Sequence, residues 1–208
     1  LSPGTISSTP KQPLASVQSL VDAGRVHALD MLENNYFEHN SLNGDTPTDR
    51  AAAQGYSGPV GENIAWNGST GAIDHNTETR QAHDNLFFSA GHRVNLLNDP
   101  YDHAGMAVEF GQFTHTDGRT YNAAMVAQEY GFYSSNERYL TGVVYSDTVI
   151  DDDFYSVGES VRGVRITAID SNGTSFYTHS GPSGGYNLSL PAGTYTVSAV
   201  GGRLDVPM

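Results

Sequence analysis

The sequence predicts an α+β domain, helices followed by strands, with a small all-β sandwich after it. Three observations carry this. Apolar residues recur at spacings of three and four from Ser16 to Leu32. The period changes to two after residue 103, and no helix signal remains beyond Tyr139. The chain has 208 residues, and a chain of that size removes about 70% of its extended surface from water on folding, enough for a proper core.

Residues 1–13 hold three prolines and many Ser and Thr, which reads as a disordered or extended leader. Val17, Leu20, Val21, Gly24, Ala28, Met31 and Leu32 then share one face, so residues 16–32 form an amphipathic helix that Asn34-Asn35 ends. Thr46-Pro47-Thr48-Asp49 is a helix start. Thr46 is the N-cap, Pro47 takes the first position and Asp49 sits three after the cap; Gly55 is the stop. A third helix fits residues 77–88, with Thr77 as cap and Ala82 and Leu86 inward. Ser89-Ala90-Gly91-His92 opens a short fourth helix that Asp99-Pro100 closes. Ala104, Met106, Val108 and Phe110 alternate with other residues, and residues 121–130 read the same way. The Asp117-Gly118 turn between them makes a hairpin.

The first domain is expected over residues 14–136 and the second over 137–208. Strands are expected at 139–145, 161–169, 174–179, 186–190 and 194–200. Turn signals at Asn172-Gly173, Gly184-Gly185 and Pro191-Ala192-Gly193 separate them. The sandwich is expected to be cut short before its last strand.

Charge and composition exclude several classes. Lys and Arg number 10 against 23 Asp and Glu, a net charge of −13. That argues against a nucleic-acid partner, which needs clustered cations, and against docking on an anionic membrane. Cysteine is absent, so no disulfide, thiolate zinc site or cysteine nucleophile exists. No apolar run approaches the length of a transmembrane segment. The first residue is Leu1, as expected of a processed chain whose targeting signal has been removed. Gly181-Pro182-Ser183-Gly184-Gly185 fits G-x-S-x-G but joins two strands and has no histidine after it, so it is not a nucleophile elbow.

Three segments of the first domain place ligand-type side chains beside Gly, Asn or aromatic residues. They are Tyr36-Phe37-Glu38-His39, Gly61-Glu62-Asn63-Ile64-Ala65 and Gly91-His92-Arg93-Val94-Asn95. Two imidazoles and a carboxylate, from His39, Glu62 and His92, suit Zn²⁺ with water completing the shell. The same trio suits an acid/base pair oriented by a carboxylate. Spacing does not show that they converge, and histidines held by structural hydrogen bonds are the competing reading. Asn63 is read as a loop cap, Arg93 as the ion-pair partner of Glu62 or Asp99, and Tyr36 and Tyr56 as core aromatics. His27, His75, His83, His103 and His115 fall outside the segments, with His83 and His103 as alternative ligands. In the second domain, residues 147–159 hold five carboxylates in 13 positions. Asp147, Asp151, Asp153 and Glu159 are the candidates for Ca²⁺. The EF-hand consensus fails, with Val149 at the third position, and a solvated acidic loop is the alternative.

The ordered set RVHALDMLENNYFEHNS, TPTDRAAAQGY, GENIA, SAGHRVNLL, AGMAVEF and MVAQEYG resembles the bacterial branch of the CAP superfamily (cysteine-rich secretory proteins, antigen 5 and pathogenesis-related proteins, or SCP-like extracellular domains). It covers about residues 16–133. The resemblance implies an α-β-α sandwich with a mixed sheet between helical layers, a secreted or cell-surface location, and a cleft carrying a His/Glu tetrad. By motif, three members of that tetrad fall on His39, Glu62 and His92. The fourth, a glutamate, is missing; Ser89 takes its place, with Asp84 and Glu78 as alternatives. The stretch from GESVRGVRI to GGYNLSLPAGTYTV resembles the B-type sandwich of bacterial surface adhesins, which implies a calcium-stiffened spacer. No lysine lies in 139–208, so the Lys–Asn isopeptide crosslink of related sandwiches cannot form. Three readings stay open: an extracellular binding module whose cleft takes a small ligand, lipid or peptide; a zinc-assisted, peptidase-like hydrolase using His39, Glu62 and His92; and a cleft with no ligand.

Overall fold

The structure is a computed structural model that describes residues 6–11, 13–132 and 137–204. Its elements, in chain order, are β1 (Ala15–Ser16), α1 (Gln18–Glu33), α2 (Pro47–Ala53), β2 (Val60–Ser69), α3 (His75–Phe88), α4 (Ala90–Leu96), β3 (His103–Thr114) and β4 (Thr120–Gly131). These are followed by β5 (Glu137–Val143), β6 (Val161–Arg162), β7 (Arg165–Asp170), β8 (Ser175–His179), β9 (Gly185–Pro191), β10 (Tyr195–Val200) and β11 (Arg203–Leu204). The chain divides into two compact units, residues 1–133 and 134–208. The expected boundary falls beside residues 133–136, outside the described residues, as do residues 1–5 and 12 of the expected leader. The described residues before β1 carry no helix or strand, and Lys11 pairs with Asp99.

In the first unit four strands form one mixed sheet in the order β1-β3-β4-β2. β1 runs parallel to β3; the β3–β4 and β4–β2 pairs are antiparallel. Side chains on β4 alternate between two cores, as a strand period of two requires. Met125 and Ala127 pack with Ala28 and Met31 of α1, while Val126 packs with Ala82 and Leu86 of α3. Helices thus cover both faces, and the mixed sheet lies between them. α1 buries Leu20, Ala23, Gly24, His27, Ala28 and Met31, the face its periodicity marks, and α2 joins it through Ala51.

Local chemistry explains the element ends. Thr46 accepts from the Asp49 N–H while the Asp49 carboxylate takes the Thr46 N–H, the reciprocal capping box, with Pro47 in the first turn. Gly55 leaves the helix with φ +87°. α3 begins earlier than Thr77 implies: Asp74 is the cap, and Thr77 donates its N–H to that carboxylate. The strand β2 through GENIA went unrecognised in the sequence because Glu62 and Asn63 interrupt its apolar pattern.

The second unit has no helix among its described residues. It carries a three-stranded sheet β10-β7-β8 and two pairs, β11-β6 and β5-β9. Leu140, Ala168, Phe176, Leu188, Leu190 and Tyr195 form its apolar cluster. The strand expected over 161–169 breaks at Gly163, whose φ of +71° separates β6 from β7.

At Gly105 of β3 the backbone of α1 lies directly against the sheet. A Cβ there would lie 2.2 Å from the Leu20 carbonyl carbon and 2.3 Å from the Val21 nitrogen. Both are backbone atoms that cannot swing aside. Gly105→Ala should therefore destabilise the chain by about 2 kcal/mol in urea unfolding, the usual cost of overpacking a well-filled core; a variant as stable as the parent would show that α1 has room to shift.

Candidate functional site

Glu62 on β2 and Glu129 on β4 are direct cross-strand partners. They lie on the α1 side of the sheet, in register with Ile64 and Ala127, and both are buried. α2 supplies Arg50 and α1 supplies His27 above them. Arg50 Nη2 donates to Glu62 Oε2 at 2.6 Å and stands 4.0 Å from Glu129 Oε1. Its Nη1 donates to His39 O at 3.0 Å, Asp45 O at 3.1 Å and Ser41 Oγ at 3.3 Å. One guanidinium thus fastens the 39–45 loop to the sheet. His39 Nδ1 donates to Glu62 Oε1 at 2.7 Å, so both Glu62 oxygens are engaged. The His39 side chain remains 54% exposed. A carboxylate only accepts, so the His39 proton nearest it sits on Nδ1 and Nε2 is the nitrogen left to a ligand.

The charges follow from this packing. Burial works to raise Glu62, but the His39 hydrogen bond and the His27 and Arg50 charges outweigh it, and its carboxyl is held below the usual range. The bond to Glu62 raises His39 against the opposing effect of its burial. Burial lowers His27, whose Nε2 donates to Glu38 O at 2.9 Å, 3.7 Å from Glu62 Oε2. Glu129 is the opposite case. Neither of its oxygens meets a hydrogen-bond donor, and burial first, then the Glu62 charge, push it up to about 10. A lone buried carboxylate beside another is costly, and the remedy is a proton shared between the two glutamates.

A second network lies on the α3 side. Asn63 Nδ2 donates to His92 O at 3.1 Å, and Asn95 Nδ2 donates to Asn63 Oδ1 at 3.0 Å and to Glu62 O at 3.2 Å. His92 Nδ1 pairs with Ser89 Oγ at 2.8 Å, and Gln128 binds His83 Nδ1 at 3.0 Å. The Asn63 and Asn95 bonds lace α4 to the edge strand β2, and the Gln128 bond ties β4 to α3.

The structure therefore joins His39 to Glu62 directly and ties His92 in through the main chain of α4. Asn63 is a strand residue bridging to α4 rather than a loop cap. Arg93 pairs with neither Glu62 nor Asp99; its Nη1 donates to Phe87 O at 3.2 Å, and Arg50 is the partner of Glu62. His103 is buried against the Tyr56 hydroxyl at 2.9 Å. Glu78 contacts Asn67. Arg50, His27 and Glu129 were missed in the sequence. The signal for Glu129 was present: an acidic residue at an inward position of a strand otherwise reading Ala-Met-Val-Ala. Among the described residues, no three His, Asp or Glu side chains are grouped as a metal ion requires, and Glu62 already serves two donors. The arrangement does not fit a zinc centre built on His39, Glu62 and His92.

In the second unit the Glu159 carboxylate is buried in a cage of backbone donors. Thr148, Val149 and Ile150 donate to Oε1 at 3.2, 2.9 and 3.0 Å, and Ser156 donates to Oε2 at 2.6 Å. These bonds, led by Ile150, hold Glu159 below the usual range. Asp147 accepts from the N–H groups of Asp152 and Asp153 at 3.3 and 2.8 Å, and Asp151 and Asp153 are exposed. The loop expected to bind Ca²⁺ through these four residues is organised here by carboxylate–backbone bonds. With both Glu159 oxygens so engaged, this donor set does not fit a calcium site closed by that residue.

Comparison with known proteins agrees with the first unit. The model of the cysteine-rich secretory protein (CAP) family matches residues 7–130, and the chain belongs to that family although it has no cysteine. Comparison with curated protein sequences gives no match. An extracellular protein containing a SCP domain from Bacillus anthracis is 26% identical over 59% of this chain, with a TM-score of 0.44. This chain covers 35% of that protein's length. An outer surface protein from Borrelia burgdorferi is 20% identical over 60% of this chain and 80% of its own, with a TM-score of 0.43.

Two outcomes are expected. Glu129 holds its proton more tightly folded than unfolded, so its contribution to stability is complete below about pH 4.5 and is lost as pH rises toward 10. Glu129→Gln, which is neutral throughout, should make urea-unfolding stability fall less between pH 5 and 9 than in the parent; parallel pH profiles would contradict a shared proton. In the acidic loop, Glu159→Ala should lower the thermal midpoint of the full chain, whereas EDTA should leave the parent's midpoint where it was. A chelator-induced drop would establish a bound metal.

Proposed function

We propose that this chain is an extracellular binding module whose cleft engages an oxygen-bearing ligand through His39, with the β-rich second unit acting as a spacer toward a cell surface or a larger exoprotein. The observation that supports this is the His39–Glu62 pair. A half-exposed imidazole is tied at Nδ1 to a buried carboxylate, which leaves Nε2 facing outward in a fixed orientation. Glu62 favours the imidazolium form, and in that form Nε2 carries a proton to offer to a carboxylate or carbonyl oxygen. Arg50 holds the loop that carries His39, so the donor is pre-positioned and little ordering cost is left for binding. Among the described residues no helix is long and apolar enough to cross a membrane.

The hydrolase reading draws on the same pair, since a carboxylate that orients an imidazole also prepares a general base. Among the described residues no grouped metal-binding set supplies an activated water for it, and the binding reading needs none.

Titration with N-acetylglycine at pH 6, followed by NMR, should shift the His39 ring signals, and His39→Ala should abolish the response. Ester and peptide substrates should show no turnover that depends on His39, with or without added Zn²⁺. Turnover that His39→Ala removes would establish the hydrolase instead.

A further inference from the structure

The outer face of α1 carries a second surface, which the His39 side chain does not line. Val26 and Leu29 are 46% and 37% exposed there, although the opposite face of the same helix packs fully into the sheet. Across from them stands Leu42, 69% exposed, in the loop that Arg50 anchors. Together they line a groove of about 540 Å³, within the range of small-ligand sites. The groove also carries three carboxylates, Asp30, Glu33 and Asp45. Arg50 lines it too, and its charge is already matched by Glu62. The Arg50 Nε is buried without a hydrogen-bond acceptor, which is a costly state for a donor.

We propose that this groove binds a short extended peptide in which a basic residue is flanked by aliphatic ones. Each feature of the groove has a counterpart in such a ligand. The lysine or arginine head meets Asp30, Glu33 and Asp45, and the aliphatic side chains cover Val26, Leu29 and Leu42. Opposite charge in a groove with apolar walls concentrates a cationic ligand there and makes binding sensitive to salt. A fatty anion would meet three like charges, and a bare metal ion would leave the apolar walls in water.

The test is an NMR titration of the full chain with acetyl-Leu-Lys-Leu-amide, compared with acetyl-Leu-Glu-Leu-amide and acetyl-Ser-Lys-Ser-amide. The lysine-leucine peptide should perturb Val26, Leu29, Glu33 and Leu42, and both comparison peptides should bind at least tenfold more weakly. Glu33→Gln and Leu42→Ser alter surface positions outside the core. Each should weaken the lysine-leucine peptide by about fivefold while leaving the N-acetylglycine response of His39 intact, which separates this site from the cleft. Equal binding of the glutamate peptide, no response at Val26, Leu29, Glu33 and Leu42, or perturbations centred on His39 would each overturn the proposal.

Discussion

One carboxylate, that of Glu62, sets the terms for the centre of the first unit. It sits buried on an edge strand and accepts from an imidazole on one oxygen and a guanidinium on the other. A second glutamate lies beside it in register. A buried carboxylate without such partners would cost several kcal/mol, so the 39–45 loop, α2 and β4 are bound to one another by the need to satisfy it. Two acids against one guanidinium leave a surplus of negative charge, and a neutral Glu129 removes it. Burial, working against the pull of the Glu62 charge, lowers His27, whose Nε2–H is donated to the Glu38 carbonyl.

Much of the fold was legible because its signals are local. The spacing of Leu20, Gly24, Ala28 and Met31 marks the buried face of α1, the Thr46–Asp49 box marks the start of α2, and Asp117-Gly118 marks the β3–β4 turn. β2 was not legible, because the polar residues that give it chemical interest break the alternation that identifies a strand. At the site, His39 and Glu62 could be named from motif and the structure brings them together. Arg50 could not: in sequence it is one cation in a short alanine-rich helix, and only the fold turns it under the sheet. His92 illustrates the converse. Its motif is present, yet its ring bonds Ser89 and its main chain, not its imidazole, meets the Glu62–Asn63 strand.

The acidic loop of the second unit follows the same logic. A row of carboxylates reads as a cation site when only side chains are counted. Backbone N–H groups are equally good partners, and a loop that folds around Glu159 offers four of them. A carboxylate that accepts several backbone bonds stays ionised without any metal. Asp153, in the left-handed region at φ +63°, completes the tight path, a conformation Asp tolerates better than most residues.

The most direct measurement is the nitrogen-15 NMR titration of the His39 ring. The tie to Glu62 requires the Nδ1–H tautomer and a titration above the ordinary histidine value of 6.5, with Glu62→Gln bringing that value down. An Nε2–H tautomer that titrates normally and ignores Glu62→Gln would contradict the account.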